Sequence, residues 1–173
     1  MQYKDKDFDK EKFQNIDFSN VDLSNAKFND CEFNSCNFSL TKINNTSLNE
    51  AIFKNCKFSG LDFSRCNKLL TSFSFENCLL NNCLFIKLDI SKTKIIDSKV
   101  QSCIFEECQL NESNFSGSDF IRSIFDNNNL KKANFVDAIN YNIDPTKNKI
   151  KGAKFSYPSV VSLLNNFEII IKE

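Results

Sequence analysis

Residues 14–39 repeat with a period of five. Phe18, Leu23, Phe28, Phe33 and Phe38 stand five apart without a slip, and Ile16, Val21, Ala26, Cys31 and Cys36 stand two places before them. A helical face needs apolar spacings of three and four, and a half-buried strand needs spacings of two. A strict period of five satisfies neither, so the chain reads first as a repeat architecture. The period also covers most of the sequence. Counted from Phe8, every fifth position through Phe63 is Phe, Leu or Ile, giving twelve repeats. Residues 64–69 break the register by two, and the count resumes at Leu70 and runs through Phe135, giving fourteen more. Sixteen of the 19 phenylalanines occupy these centres. Lys6 and Glu11 hold the small-residue slot of the first repeats, which predicts a frayed first turn with its interior open to water.

The repeats AKFND, CNFSL, AIFKN, CKFSG, LDFSR, SNFSG, SDFIR and ANFVD resemble those of pentapeptide-repeat proteins: a small residue, often Asp or Asn, then Phe or Leu, then Ser, Thr or Arg. The resemblance implies an all-β fold, a right-handed quadrilateral β-helix with four repeats per coil. The spacing is compatible with it. One repeat per side points the centre and the small residue inward and leaves three residues to solvent. Coils stacked like parallel strands, about 4.8 Å apart, make a rod about 30 Å long. The expected organisation is a β-helix over residues 1–135 and a decaying last coil with a capping tail over 136–173.

That tail has its own pattern. Pro158 opens SVVSLLNNF, in which Val160, Val161, Leu163, Leu164 and Phe167 form an apolar face at helical spacing. Proline suits the first turn of a helix, and a helix this short must pack on something. The following EIIIK reads as a short terminal strand. The stretch NYNIDPTKNKIKGAKFSYPSVVSLLNNF is similar to the C-terminal ends of the quinolone-resistance (Qnr) group. That resemblance implies a homodimer held through Val160, Leu163, Leu164, Phe167, Ile169 and Ile171. It also implies DNA gyrase, or another type II topoisomerase, as a partner, met by mimicry of DNA and giving protection from poisons.

Composition narrows the chemistry. Lys and Arg number 22, matched by 22 Asp and Glu, so no global field draws nucleic acid or an anionic membrane. The charged N-terminus is no secretory signal, and no apolar run approaches a membrane span, so the expected compartment is the cytoplasm. There is no histidine, no glycine-rich phosphate loop and no C-x2-C pair. Seven of the eight cysteines (Cys31, Cys36, Cys56, Cys78, Cys83, Cys103, Cys108) occupy the small inward slot, where reduced thiols serve as small core residues. No catalytic residue, metal or cofactor is expected.

Function then rests on the surface. Leu84, Ile104 and Ile124 stand just before their centres at a spacing of 20, which predicts an apolar ladder up one face, widened by Ile86 and Ile121. Contiguous apolar surface marks a contact, here with a second copy, the chain's own tail or a partner. The candidate acidic face holds Asp22, Asp62, Glu106, Glu107 and Asp126, interspersed with Lys42, Arg65 and Lys87. A 30 Å duplex mimic would show on the order of eighteen negative charges. Lys147, Lys149, Lys151 and Lys154 read as a solvated cap. Two readings stay open: a topoisomerase ligand, and an interaction module for some other protein.

Overall fold

A five-residue repeat turns a corner only if one residue in each repeat reverses the chain. The computed structural model describes residues 2–167 and 169–172, with Leu70 described by its backbone alone. Away from the break, the residue two places after each centre takes a left-handed conformation, with φ of 55° at Asn15, 58° at Asn20 and 61° at Asn25. Asn is the commonest residue at these positions, being with Asp the side chain that tolerates left-handed backbone best. Gly60, Gly117 and Gly152 stand in the same place on their own coils. The repeat thus supplies its own corners, and glycine can be rare.

The corners enclose a four-sided solenoid of about seven turns. We call the sides A to D in chain order, centred in the first coil on Phe8, Phe13, Phe18 and Leu23. Short parallel strands stack along each side at a register of 20 residues, as in Asp7–Asp9 on Lys27–Asn29 and Lys12–Gln14 on Glu32–Asn34. Phenylalanine rings stack down the interior with the coils. On side D, Phe63, Phe85, Phe105 and Phe125 lie 4.7, 4.7 and 4.8 Å apart, centroid to centroid.

The small slot does more than save space. Its side chain accepts from the backbone N–H of the coil above and donates to a carbonyl there. Cys36 N–H donates to Cys56 Sγ, Cys56 N–H to Cys78 Sγ, Cys78 N–H to Ser98 Oγ and Ser98 N–H to Ser118 Oγ. In the reverse direction Thr46 Oγ1 donates to the Leu23 carbonyl and Ser123 Oγ to that of Val100. Asn128 and Asn148 do both jobs with one amide. This explains why Cys, Ser, Thr and Asn outnumber Ala there: each answers an inward backbone group that burial would otherwise orphan.

The break at 64–69 inserts two residues, so pairing across it runs at 22, as in Phe53↔Phe75 and Phe58↔Leu80. Two single turns, Phe63–Arg65 and Lys68–Leu70, absorb the excess. The side chain of Leu70, expected as the first resumed centre, lies outside the described residues. Phe73 is buried three residues later, against Phe63 and Phe75 at 5.3 and 5.2 Å.

Both ends differ from expectation. The first turn is only partly open to water: Phe8, Ile16 and Val21 are half-buried. Tyr3 lies across Phe8, Phe13 and Phe18 as a lid, its ring 5.1 Å from that of Phe18, and Phe13 is buried beneath it. Lys6 and Glu11 simply face solvent. Their charges blunt an edge that would otherwise template further strands. At the other end the coil continues past Phe135, with Lys149 on Asn129 and Phe155 on Phe135. Ser159–Phe167 then forms the expected short helix, but it is wound as a 3-10 helix. The strand expected after it is absent: Ile169–Lys172 are exposed and irregular, and Glu168 lies outside the described residues. Three isoleucines alone do not make a strand when no sheet edge is offered to them.

Candidate interaction surfaces

Parallel register turns sequence spacing into contact. On side D, Leu84 pairs with Ile104 and Ile104 with Ile124, so the three form adjacent rungs. Ile86 shares the first rung and heads a column continued by Glu106 and Asp126. Ile121, at the corner between sides C and D, and Ile124 are exposed. Above the break the same column runs Asp22, Lys42, Asp62. Sequence reasoning missed several members of the exposed apolar set, among them Leu40, Leu69, Val136 and Ile139. Ile139 pairs with Asp119, two residues from Ile121, and its signal was its spacing of 20 from that residue.

The acidic positions do not form a bare anionic array. Asp62 pairs with Arg65 at 3.0 Å, Glu107 with Lys87 at 3.6 Å, Asp126 with Lys147 at 3.8 Å and Asp22 with Lys4 at 3.8 Å. Exposed pairs of this kind add little stability, but each cancels a negative charge locally. The Ser24 hydroxyl and amide hold the Asp22 carboxyl below its ordinary pKa, so it stays ionised beside Lys4.

The tail residues separate into two groups. Leu163 packs back on the core of its own chain, and Val160 is half-buried. Leu164, Phe167, Ile169 and Ile171 are exposed. The Tyr141 hydroxyl is buried beside Ser162 under the helix, and burial pushes its pKa up.

The interior offers no reactive group at the surface. All eight cysteines are free and buried, and burial pushes the Cys66 thiol up to about 12. A thiol held protonated is a poor nucleophile and a poor metal ligand. Among the described residues no group of three His, Cys, Asp or Glu side chains is placed to hold a metal ion. Among them, too, no helix is long and apolar enough to cross a membrane.

Comparison with known proteins matches the same architecture. The family model described as pentapeptide repeats (8 copies) matches residues 12–39 and 31–67, and that of the pentapeptide repeat region matches 67–135. No curated protein matches the sequence. Among solved structures, a trypsin-treated form of QnrB1, a plasmid-mediated fluoroquinolone resistance protein, aligns with a TM-score of 0.54 at 19% identity, covering 96% of this chain and 95% of that one. Full-length QnrB1 aligns with a TM-score of 0.50 at 20% identity, covering 95% and 96%. HetL, involved in heterocyst differentiation regulation in Nostoc sp. strain PCC 7120, gives 0.36 at 14% identity, covering 85% and 84%.

Proposed function

The chain belongs to the pentapeptide-repeat family, and on that premise we propose that it is a non-enzymatic, cytoplasmic, protein-binding rod whose contact surface is the C-terminal half of side D. One observation carries the reading: Leu84 and Ile104, half-buried, and Ile124, exposed, stack on adjacent outward rungs of side D. Single exposed aliphatic residues are ordinary, but a contiguous column of them desolvates a partner. The test compares pull-downs by the native protein and by Ile104→Lys. A specific protein retained by the first and lost from the second supports the reading, and identical binding profiles overturn it.

A second reading is a ligand of a type II topoisomerase such as DNA gyrase, protecting it from quinolone-type poisons. Its support is the likeness to QnrB1 along nearly the whole chain, which is a likeness of fold. The paired acids weigh against mimicry of DNA. Gyrase supercoiling titrated with this protein, with and without a fluoroquinolone, decides it: inhibition alone, or rescue in drug, supports the reading. No effect at large molar excess removes it for that enzyme.

Either reading accommodates a homodimer through the exposed tail residues Leu164, Phe167, Ile169 and Ile171. Light scattering on a Leu164→Asp/Phe167→Asp variant tests this. The expected result is half the native mass, and an unchanged mass contradicts it.

A further inference from the structure

Diagonally across the rod from Ile121, at the corner between sides A and B, the register break leaves a cleft of about 470 Å³. Its origin is local. Strand Thr71–Glu76 pairs with Ser47–Lys54 above it from Leu48↔Thr71 onward, but with the coil below it only from Ser74↔Lys94. Among the described residues, no backbone hydrogen bond joins Thr71 or Ser72 to the stretch Asp89–Lys92. The lower coil is otherwise intact, since Ile90 and Lys92 donate onward to Gln109 and Asn111 at 3.0 and 2.9 Å. Two main-chain edges that would meet at strand spacing elsewhere on the rod instead face each other across a gap.

The charges around this gap are unequal in what they still need. Glu50 is already engaged, accepting from Ser72 Oγ at 3.0 Å, and Asp89 accepts from the backbone N–H and hydroxyl of Ser91 at 3.2 and 2.6 Å. Lys92 and Lys94 are exposed, and neither appears in an ion pair among the described residues. Glu50 and Asp89 keep their negative charge, but each already accepts from a serine, whereas Lys92 and Lys94 have no acceptor among the described residues; what remains unpaired at the cleft is an open strand edge and these two ammonium groups. An extended peptide satisfies the first by adding main-chain hydrogen bonds, and its carboxylates satisfy the second.

We propose that this cleft is a docking site for an extended, acidic segment of a partner protein, which adds to the open edge at Thr71–Ser72 and Asp89–Lys92 and sets carboxylates against Lys92 and Lys94. The cleft volume falls within the range of built binding sites. The site lies on the opposite corner from the apolar ladder and stands or falls without it.

The experiment is an amide NMR titration of the full chain with acetyl-Val-Glu-Val-Glu-Val-amide. The expected result is saturable shifts confined to Thr71–Ser74 and Asp89–Lys94. Binding should weaken at least tenfold with the Gln-for-Glu peptide and with the Lys92→Glu/Lys94→Glu variant. It should persist in Lys131→Glu/Lys132→Glu, which carries the same change of net charge elsewhere. Scattered or non-saturable shifts, equal response to the Gln peptide, or unchanged affinity in the Lys92/Lys94 variant would overturn the proposal. An equal response to free glutamate at the same concentration would also overturn it, marking a simple anion site.

Discussion

Side D is one side of the rod but two surfaces. Above the break its outward column reads Asp22, Lys42, Asp62, and below it Leu84, Ile104, Ile124. The inward column stays apolar throughout, Leu23 and Ile43 giving way to Phe63, and Phe63 stacks on Phe85 across the break as closely as Phe85 does on Phe105. The repeat therefore dictates the interior and leaves the exterior free. On the function proposed above, the outward change reflects what the surface meets, rather than what the fold requires.

The comparison breaks if inward and outward neighbours on one strand respond alike to substitution. Phe105→Ala removes a fully buried ring stacked on both sides, and its expected cost is about 3–5 kcal/mol by denaturant unfolding. Phe8→Ala, at the half-buried first coil, should cost clearly less.

A smaller effect tests the corners. At Gly117, with φ of 68°, an added Cβ would clash with Asp97 Oδ1. Gly117→Ala should cost about 1–2 kcal/mol from the left-handed backbone alone, plus this clash. Asp97→Ala in the same chain should recover the clash and leave the backbone cost.

Ile104→Lys and its counterpart above the break, Lys42→Ile, sharpen the contrast directly. Both positions face outward on side D, so each change should shift stability by less than about 1 kcal/mol in thermal melts. A large loss at Ile104 would make the ladder part of the packing.

Least in size is the response to acid. The Ser19 hydroxyl and amide hold the Asp17 carboxyl below its ordinary value, and Thr146 does the same for Asp144. A carboxyl lowered on folding stabilises above its unfolded pKa, and that contribution is lost as pH falls through the folded pKa. Both carboxyls should titrate below about 3.9 by NMR, one in each half of the rod.

The interior was legible because one rule repeats. Phe18, Phe38 and Phe58 fall on one column in the sequence and stack at 4.8 and 5.0 Å in the molecule. The register of Leu84, Ile104 and Ile124 followed from the same count. What escaped lies where the count stops. Tyr3 precedes the first repeat, so nothing in the period marks it as a lid. Phe73 puts a large ring in the small slot two places before Phe75, opposite Ala51, and the cleft depends on how two extra residues are absorbed in three dimensions. The tail failed as a strand because Ile169–Ile171 have strand-forming side chains but no edge to join. Ion pairing also depends on placement: Asp126 and Lys147 are 21 residues apart and meet at 3.8 Å.

The most direct measurement places a photo-activated cross-linking amino acid at position 104 in one variant and at position 42 in another, both expressed in living cells. The account predicts a discrete cross-linked partner from position 104 and none from position 42, on the same side of the same rod. Equal cross-linking from both, or none from either, would contradict the claim that the C-terminal half of side D is a protein-binding surface.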